Sequence, residues 1–168
     1  MKVFVEGDDF LRALDDKVAG VVVTGDTATS RKNAALWLAR YAERQDCDVE
    51  LVFGAPSTGE VLPPYEQHGR VKMRNLEADE ECARWVAGPA NRMAERDRVY
   101  VVSDTPRVCR AAEGSEARVF GSEEFIDRAR RVMGQDDDTA RYDEPDEKYS
   151  GLAEEEADFW IEFFKNDG

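Results

Sequence analysis

Histidine and cysteine are scarce in this sequence of 168 residues. His68 is the only histidine, and the cysteines are three: Cys47, Cys82 and Cys109. An odd count with no CxxC and no Cys/His spacing argues against a disulfide framework or a zinc site. All three lie in apolar or helical stretches, where a free cysteine packs as a small apolar residue. A Ser-His-Asp or Cys-His centre would have to use His68, which sits in the Pro/Gly-bounded stretch from Pro63 to Gly69 with nothing beside it to complete a triad. The chain also lacks a Gly-rich phosphate loop and a GxGxxG fingerprint, which counts against a generic nucleotide-binding domain. No apolar run approaches the length of a membrane span. The first residues do not resemble a signal peptide. The expectation is a cytoplasmic protein with no membrane partner. No internal repeat is evident.

Lysine is scarce too, six against seventeen arginines, and acids dominate at 37, for a formal charge of −14. The excess is uneven. Residues 136–168 hold thirteen of the acids and three of the bases, a net of −10, which leaves −4 for the first 135 residues. A polyanion would be repelled by the tail and would meet a nearly balanced body. Tight non-specific nucleic-acid binding is therefore disfavoured. Such acidity also suits a salt-adapted source.

Short apolar runs punctuated by Gly and Asp alternate with helical patterns. Strands are expected at Lys2–Glu6, Val49–Phe53, Val71–Met73, Arg98–Val102 and Arg118–Phe120, with a further apolar run from Val18 to Val23. Helices are expected from Arg31, capped by Ser30, to about Arg44, from about Ala78 to Arg96 with an interruption at Gly88-Pro89, from Arg107 to Ala112 behind Thr105-Pro106, and from Ser122 to about Met133. The segment Ala55–Gly69 reads as a loop. The pattern predicts an α/β domain over residues 1–134: a three-layer, open, mainly parallel sheet with helices on both faces. Residues 135–150 read as an acidic linker. Residues 151–168 read as an appended amphipathic helix with an aromatic face (Trp160, Phe163, Phe164), expected to dock on its own domain or on a protein partner.

Ligands of open α/β sheets gather at the carboxyl ends of the strands. Carboxylates there are Glu6 and Asp9 after the first strand and Asp104 after the strongest one. Asp79 opens the helix that follows Leu76. Acids converging at one sheet edge repel each other unless a cation joins them, and oxygen donors suit Mg²⁺ or Mn²⁺. A bland explanation stands beside each: Asp79 suits a helix start, and Asp104 suits a turn. In so acidic a chain, several acids would reach strand ends by chance.

Four motifs in order sharpen this. Val5-Glu6-Gly7-Asp8-Asp9-Phe10-Leu11 resembles the opening motif of NYN domains, usually Val/Ile-Asp-Gly-Tyr-Asn. Glu77-Ala78-Asp79-Glu80, Val101-Val102-Ser103-Asp104 and Arg118-Val119-Phe120-Gly121-Ser122-Glu123-Glu124-Phe125 are similar to that family's later signatures. The stretch Gly151–Trp160 is similar to the helix appended in YacP-like members. The resemblance implies a PIN-like fold and Mg²⁺- or Mn²⁺-dependent cleavage of RNA phosphodiesters. Carried over, it makes Glu6, Asp9, Asp79 and Asp104 the catalytic set and Glu6, Asp79 and Asp104 the metal ligands, with Arg31 a candidate phosphate contact. Three departures go with it. Glu6 is one methylene longer than the usual Asp, Asp8 replaces the tyrosine, and Gly54 stands where many members carry an Asp. Val21–Asp26 is an alternative first strand, which would make Asp26 the first ligand. The second functional reading is a catalytically inactive PIN-like module serving as a protein-interaction or RNA-associated scaffold.

Overall fold

Successive residues of a strand point to opposite faces of a sheet, and here each face buries its own set. The computed structural model describes residues 1–93 and 98–134; the expected linker and terminal helix lie outside them. In chain order the elements are β1 (Lys2–Glu6), α1 (Gly7–Lys17), α2 (Thr27–Gln45), β2 (Asp48–Phe53), β3 (Tyr65–His68), β4 (Val71–Asn75), α3 (Cys82–Met93), β5 (Val99–Val102), α4 (Pro106–Glu113), β6 (Arg118–Phe120) and α5 (Ser122–Val132). The sheet runs β3-β4-β2-β1-β5-β6, parallel throughout except for the β3–β4 pair at one edge.

Val3, Val5, Val49, Leu51, Phe53, Tyr100 and Val102 face a layer made by α1, α2 and α5. Phe4, Val52, Val99 and Val101 face the other way, onto α3 and α4. The first face holds the larger core. Phe125 of α5 meets Phe10, Tyr41 and Phe120 edge-on or tilted, and Trp37 packs on Phe10. Tilted and edge-to-face rings are favoured by the aromatic quadrupole.

The sheet is the open, mainly parallel one expected, with helices on both faces. The differences are local and have physical causes. Val18–Val23 forms no strand and lies between α1 and α2 outside the sheet. Only Val21 of that run is buried as core, while Val23 is exposed. Asp26, at the end of that run, caps α2: its carboxylate accepts from the Thr29 N–H at 2.9 Å and the Thr29 hydroxyl at 2.8 Å. Ser30 is therefore not the cap. It lies buried in the first turn, where its hydroxyl donates to the Asp26 carbonyl and accepts from the Val23 N–H. The expected loop at Ala55–Gly69 ends in an edge strand, β3, which pairs antiparallel with β4. Helix α3 starts at Cys82 rather than Ala78, and it runs on through Pro89. Proline costs a helix one hydrogen bond, but the buried face Val86, Ala87 and Ala90 packs against the sheet and keeps the helix whole. Among the described residues no helix is long and apolar enough to cross a membrane.

Candidate active site at the carboxyl ends of β1 and β5

The chain leaves β1 toward β2 on one side and later returns to its other side as β5. Such a reversal of strand order opens a crevice at the carboxyl ends. Glu6 closes β1, and α1 starts at the next residue with no loop between them. Gly7 makes this abrupt turn feasible: a Cβ there would lie 2.6 Å from the Phe53 ring. The first turn of α1 then brings Asp8 and Asp9 to the same end of the sheet.

Ser103 and Thr105, just after β5, reach across to Glu6. The Thr105 hydroxyl lies 2.9 Å from Glu6 Oε1 and 3.5 Å from Asp9 Oδ2. It has a single proton and can donate to only one of them at a time. The Ser103 hydroxyl donates to the other Glu6 oxygen and accepts from the Thr105 N–H. Glu6 is half-buried and has no cationic side chain bonded to it among the described contacts. Asp9 pairs with the exposed Arg12 at 3.0 Å.

The other two predicted acids make no hydrogen bond to Glu6 or Asp9 among the described contacts. Asp104 is exposed, and its Oδ1 accepts from the Ser122 N–H at 2.9 Å, at the start of α5. It shares with Asp9 an open groove of about 590 Å³, also lined by Arg12, Asp16, Glu123 and Glu124. Asp79 lies in the turn before α3, in a separate groove with Glu80, Arg84, Trp85 and Arg92. Glu6 is thus joined to Asp9 through Thr105, Asp104 shares the adjoining groove with Asp9, and Asp79 lies in a separate groove. Among the described residues no three His, Cys, Asp or Glu side chains gather as a metal-holding group.

A second cluster flanks the first at the end of β2. Arg31 is buried, and its guanidinium donates to Asn75 Oδ1 at 2.8 Å and to the Gly54 carbonyl at 2.9 Å. It lies 4.5 Å from the Phe53 ring centre and 3.6 Å from Asp8 Oδ1. Burial lowers its pKa, and Asp8 opposes that shift. With these partners, Arg31 is a strut that joins α2 to the ends of β2 and β4. Burial pushes the Cys82 thiol up to about 12, and the negative charges of Asp8, Glu6 and Asp9 add to the shift while Arg31 opposes it. That cysteine is a poor nucleophile at neutral pH.

The crystal structure of Rae1 (YacP) from Bacillus subtilis matches this architecture with a TM-score of 0.62, covering 99% of this chain and 96% of that one at 17% identity. A tryptophan-to-leucine mutant of the same protein matches with a TM-score of 0.61, covering 92% and 89%, also at 17% identity. The fold is YacP-like. It is the open, mainly parallel α/β architecture with helices on both faces that the strand and helix patterns predict. No protein-family model matches the sequence, and no curated protein matches it.

Within this YacP-like frame the donor set can be weighed for a cation. Two carboxylates and two hydroxyls are all hard oxygen donors. Mg²⁺ is commonly bound by one or two carboxylates, with water and substrate phosphate completing its shell. Glu6 and Asp9 fit that pattern, whereas no cage of three carboxylates is assembled among the described residues. The residues that sequence reasoning missed are Ser103, Thr105 and Asp8. Thr105 was expected to be a helix cap. It does occupy the N-cap of α4, but its side chain makes no capping bond and turns to Glu6 instead. The adjacent hydroxyls of Ser103 and Thr105 around Asp104 were the only sequence signal available.

Proposed function

We propose that this chain is a metal-dependent endoribonuclease of the PIN/NYN type, cleaving RNA phosphodiesters with Mg²⁺ or Mn²⁺ held by Glu6 and Asp9. One observation carries the reading: the two carboxylates meet over the Thr105 hydroxyl at the strand-order reversal of a YacP-like fold. A divalent cation, when bound, supplies positive charge for phosphoryl oxygens and makes a water more acidic. The chain's own residues prepare for it. Ser103 and Thr105 fix both oxygens of Glu6, so the carboxylate loses little rotamer freedom on binding. Asp104, Glu123 and Glu124 make the neighbouring groove acidic, so an RNA phosphate would be repelled there unless a cation intervened.

The second reading, a catalytically inactive PIN-like module acting as a protein-interaction or RNA-associated scaffold, is favoured by the separate groove of Asp79 and by the lack of a three-acid group among the described residues. Mn²⁺-dependent cleavage of a structured RNA separates the two. The nuclease reading expects cleavage by the wild type and a loss of about 100-fold in Glu6→Gln, the upper range for disturbing a metal shell. Wild-type cleavage no higher than background would sink it. RNA retention without cleavage would favour the scaffold.

A further inference from the structure

Helix α3 buries Val86, Ala87 and Ala90 against the sheet and turns another face outward. Arg84, Gly88 and Arg92 follow one another along that face at four-residue spacing. Both arginines are exposed, and neither forms an ion pair among the described residues. Gly88 leaves the space between them open. A Cβ there would lie 3.7 Å from Arg92 Nη1, so the Arg92 guanidinium reaches back along the helix over the glycine. Beside this stripe the half-buried Trp85 ring carries the Arg74 guanidinium, 4.1 Å from its centre. Trp85, Pro89 and the two exposed arginines line a groove of about 710 Å³. Of its three acids, Glu81 is neutralised by Arg107 at 3.1 Å. Asp79 and Glu80 then stand against Arg74, Arg84 and Arg92. The groove at Asp9, by contrast, is lined by five acids and one arginine.

Strand register ties this groove to Glu6. Glu6 lies beside Val52, and Val52 beside Arg74, on three adjacent strands. Neighbouring strands are about 4.8 Å apart, so about 10 Å separates the backbones of Glu6 and Arg74. Glu6 comes two residues after Phe4, which faces α3 and α4, and Arg74 packs on Trp85 of α3. Both side chains therefore leave the sheet on the same side. We propose that the α3 groove is a track for single-stranded RNA, with phosphates on Arg84 and Arg92 and a base against the Trp85–Arg74 stack. The inference rests on the nuclease reading above and names the path by which its substrate reaches Glu6. Bases stack on aromatic rings and on guanidinium planes, and the guanidinium fork matches phosphate oxygens. About three stacked nucleotides, at about 3.4 Å each, span the distance to Glu6.

The test is the fluorescence anisotropy of a short labelled single-stranded RNA with the full chain, over a range of salt. EDTA withholds divalent cations, so the RNA is bound and not cut. Arg84→Ala with Arg92→Ala is compared with Arg40→Ala with Arg44→Ala, which removes the same charge from exposed positions of α2 on the opposite face of the sheet. The α3 pair is expected to weaken binding and to lower the slope of log affinity against log salt by about 1.4, two phosphate contacts at about 0.7 each. Its melting temperature is expected to stay that of the wild type, since both side chains are exposed. Trp85→Leu keeps apolar bulk against the core and is expected to bind about 10-fold more weakly, the loss of one stacked base. If it does not fold, Arg74→Gln removes the other half of the stack. An α3 pair whose affinity and slope match the α2 control would overturn the proposal, and Mn²⁺-dependent cleavage by the wild type would leave the nuclease reading standing. A folded stack variant that binds as tightly as the wild type would also overturn it. So would displacement of the RNA by polyglutamate at equal charge, which would assign the groove to an acidic protein surface. A wild type that neither binds nor cuts RNA would overturn both readings.

Discussion

Arg31 and Arg12 show how differently one residue type can matter. Arg31 is buried, with two hydrogen-bond partners and an aromatic face, whereas Arg12 is largely exposed in its pair with Asp9. Arg31→Met leaves Asn75 and the Gly54 carbonyl without their donor, and each unsatisfied buried group costs about 1–3 kcal/mol. The expected loss in urea unfolding is therefore about 2–6 kcal/mol. Arg12→Ala should stay within about 0.5 kcal/mol of the wild type, as exposed pairs do. Thr105 is the residue whose removal should affect binding more than folding. Thr105→Val keeps the shape but leaves Glu6 Oε1 and Asp9 Oδ2 without their shared hydroxyl. Mn²⁺ affinity by calorimetry is expected to fall about 10-fold with little change in melting temperature; an unchanged affinity would remove Thr105 from the site.

Elements are held at their ends as well as along their faces. The N-terminus of α2 is fixed by Asp26, whose carboxyl is held below its usual pKa first by the Thr29 N–H and then by the Thr29 hydroxyl. A carboxyl with a lower pKa in the folded chain stabilises it at pH values above the unfolded pKa, and that contribution fades as pH falls through the folded value. Asp26→Ala should therefore unfold at lower urea than the wild type at pH 7, with the gap closing as the pH falls below the ordinary aspartate value of 3.8 and through the lowered value of the folded chain. A gap that persists unchanged at low pH would show that the charge of the cap is not what matters. At this scale the sequence was legible where one face dictated the outcome. Strands β1 and β5 could be read because their apolar runs are buried on both sides, as in a central parallel strand. Val18–Val23 could not, since its composition suits a strand but the run pairs with none of the sheet's strands and buries only Val21 as core. The start of α3 was misplaced by four residues because Asp79 and Glu80 suit a helix N-terminus. The turn they form instead is closed by the Glu80 side chain accepting from the Glu77 N–H.

Among the described residues, the first two helices and the last pack together through an aromatic cluster. Phe125, from the last described helix, packs with Phe10 and Tyr41 from the first two helices. Phe125→Ala should cost about 3–5 kcal/mol, the range for emptying a buried aromatic site, and should show as a single cooperative loss in thermal unfolding. Ligand linkage is the complementary test. An ion that binds only the folded state at 100 times its dissociation constant stabilises it by about 2.7 kcal/mol. Mn²⁺ should accordingly raise the melting temperature of the wild type and leave that of Glu6→Gln unchanged. Equal shifts in both would place the ion elsewhere on this acidic chain.

Order along the chain determined a great deal here. Alternating strand and helix patterns, with acids behind the strands, were enough to place Glu6 and Asp9 at the end of β1, because a strand and the turn after it are local events. The meeting of Glu6 with Thr105 spans 99 residues, and that of Asp8 with Gly54 spans 46. Neither separation leaves a periodic trace in the sequence. Only the parallel sheet decides them: setting β1 between β2 and β5 brings three distant strand ends side by side, and it leaves Asp79 in a separate groove that its own local sequence could not reveal.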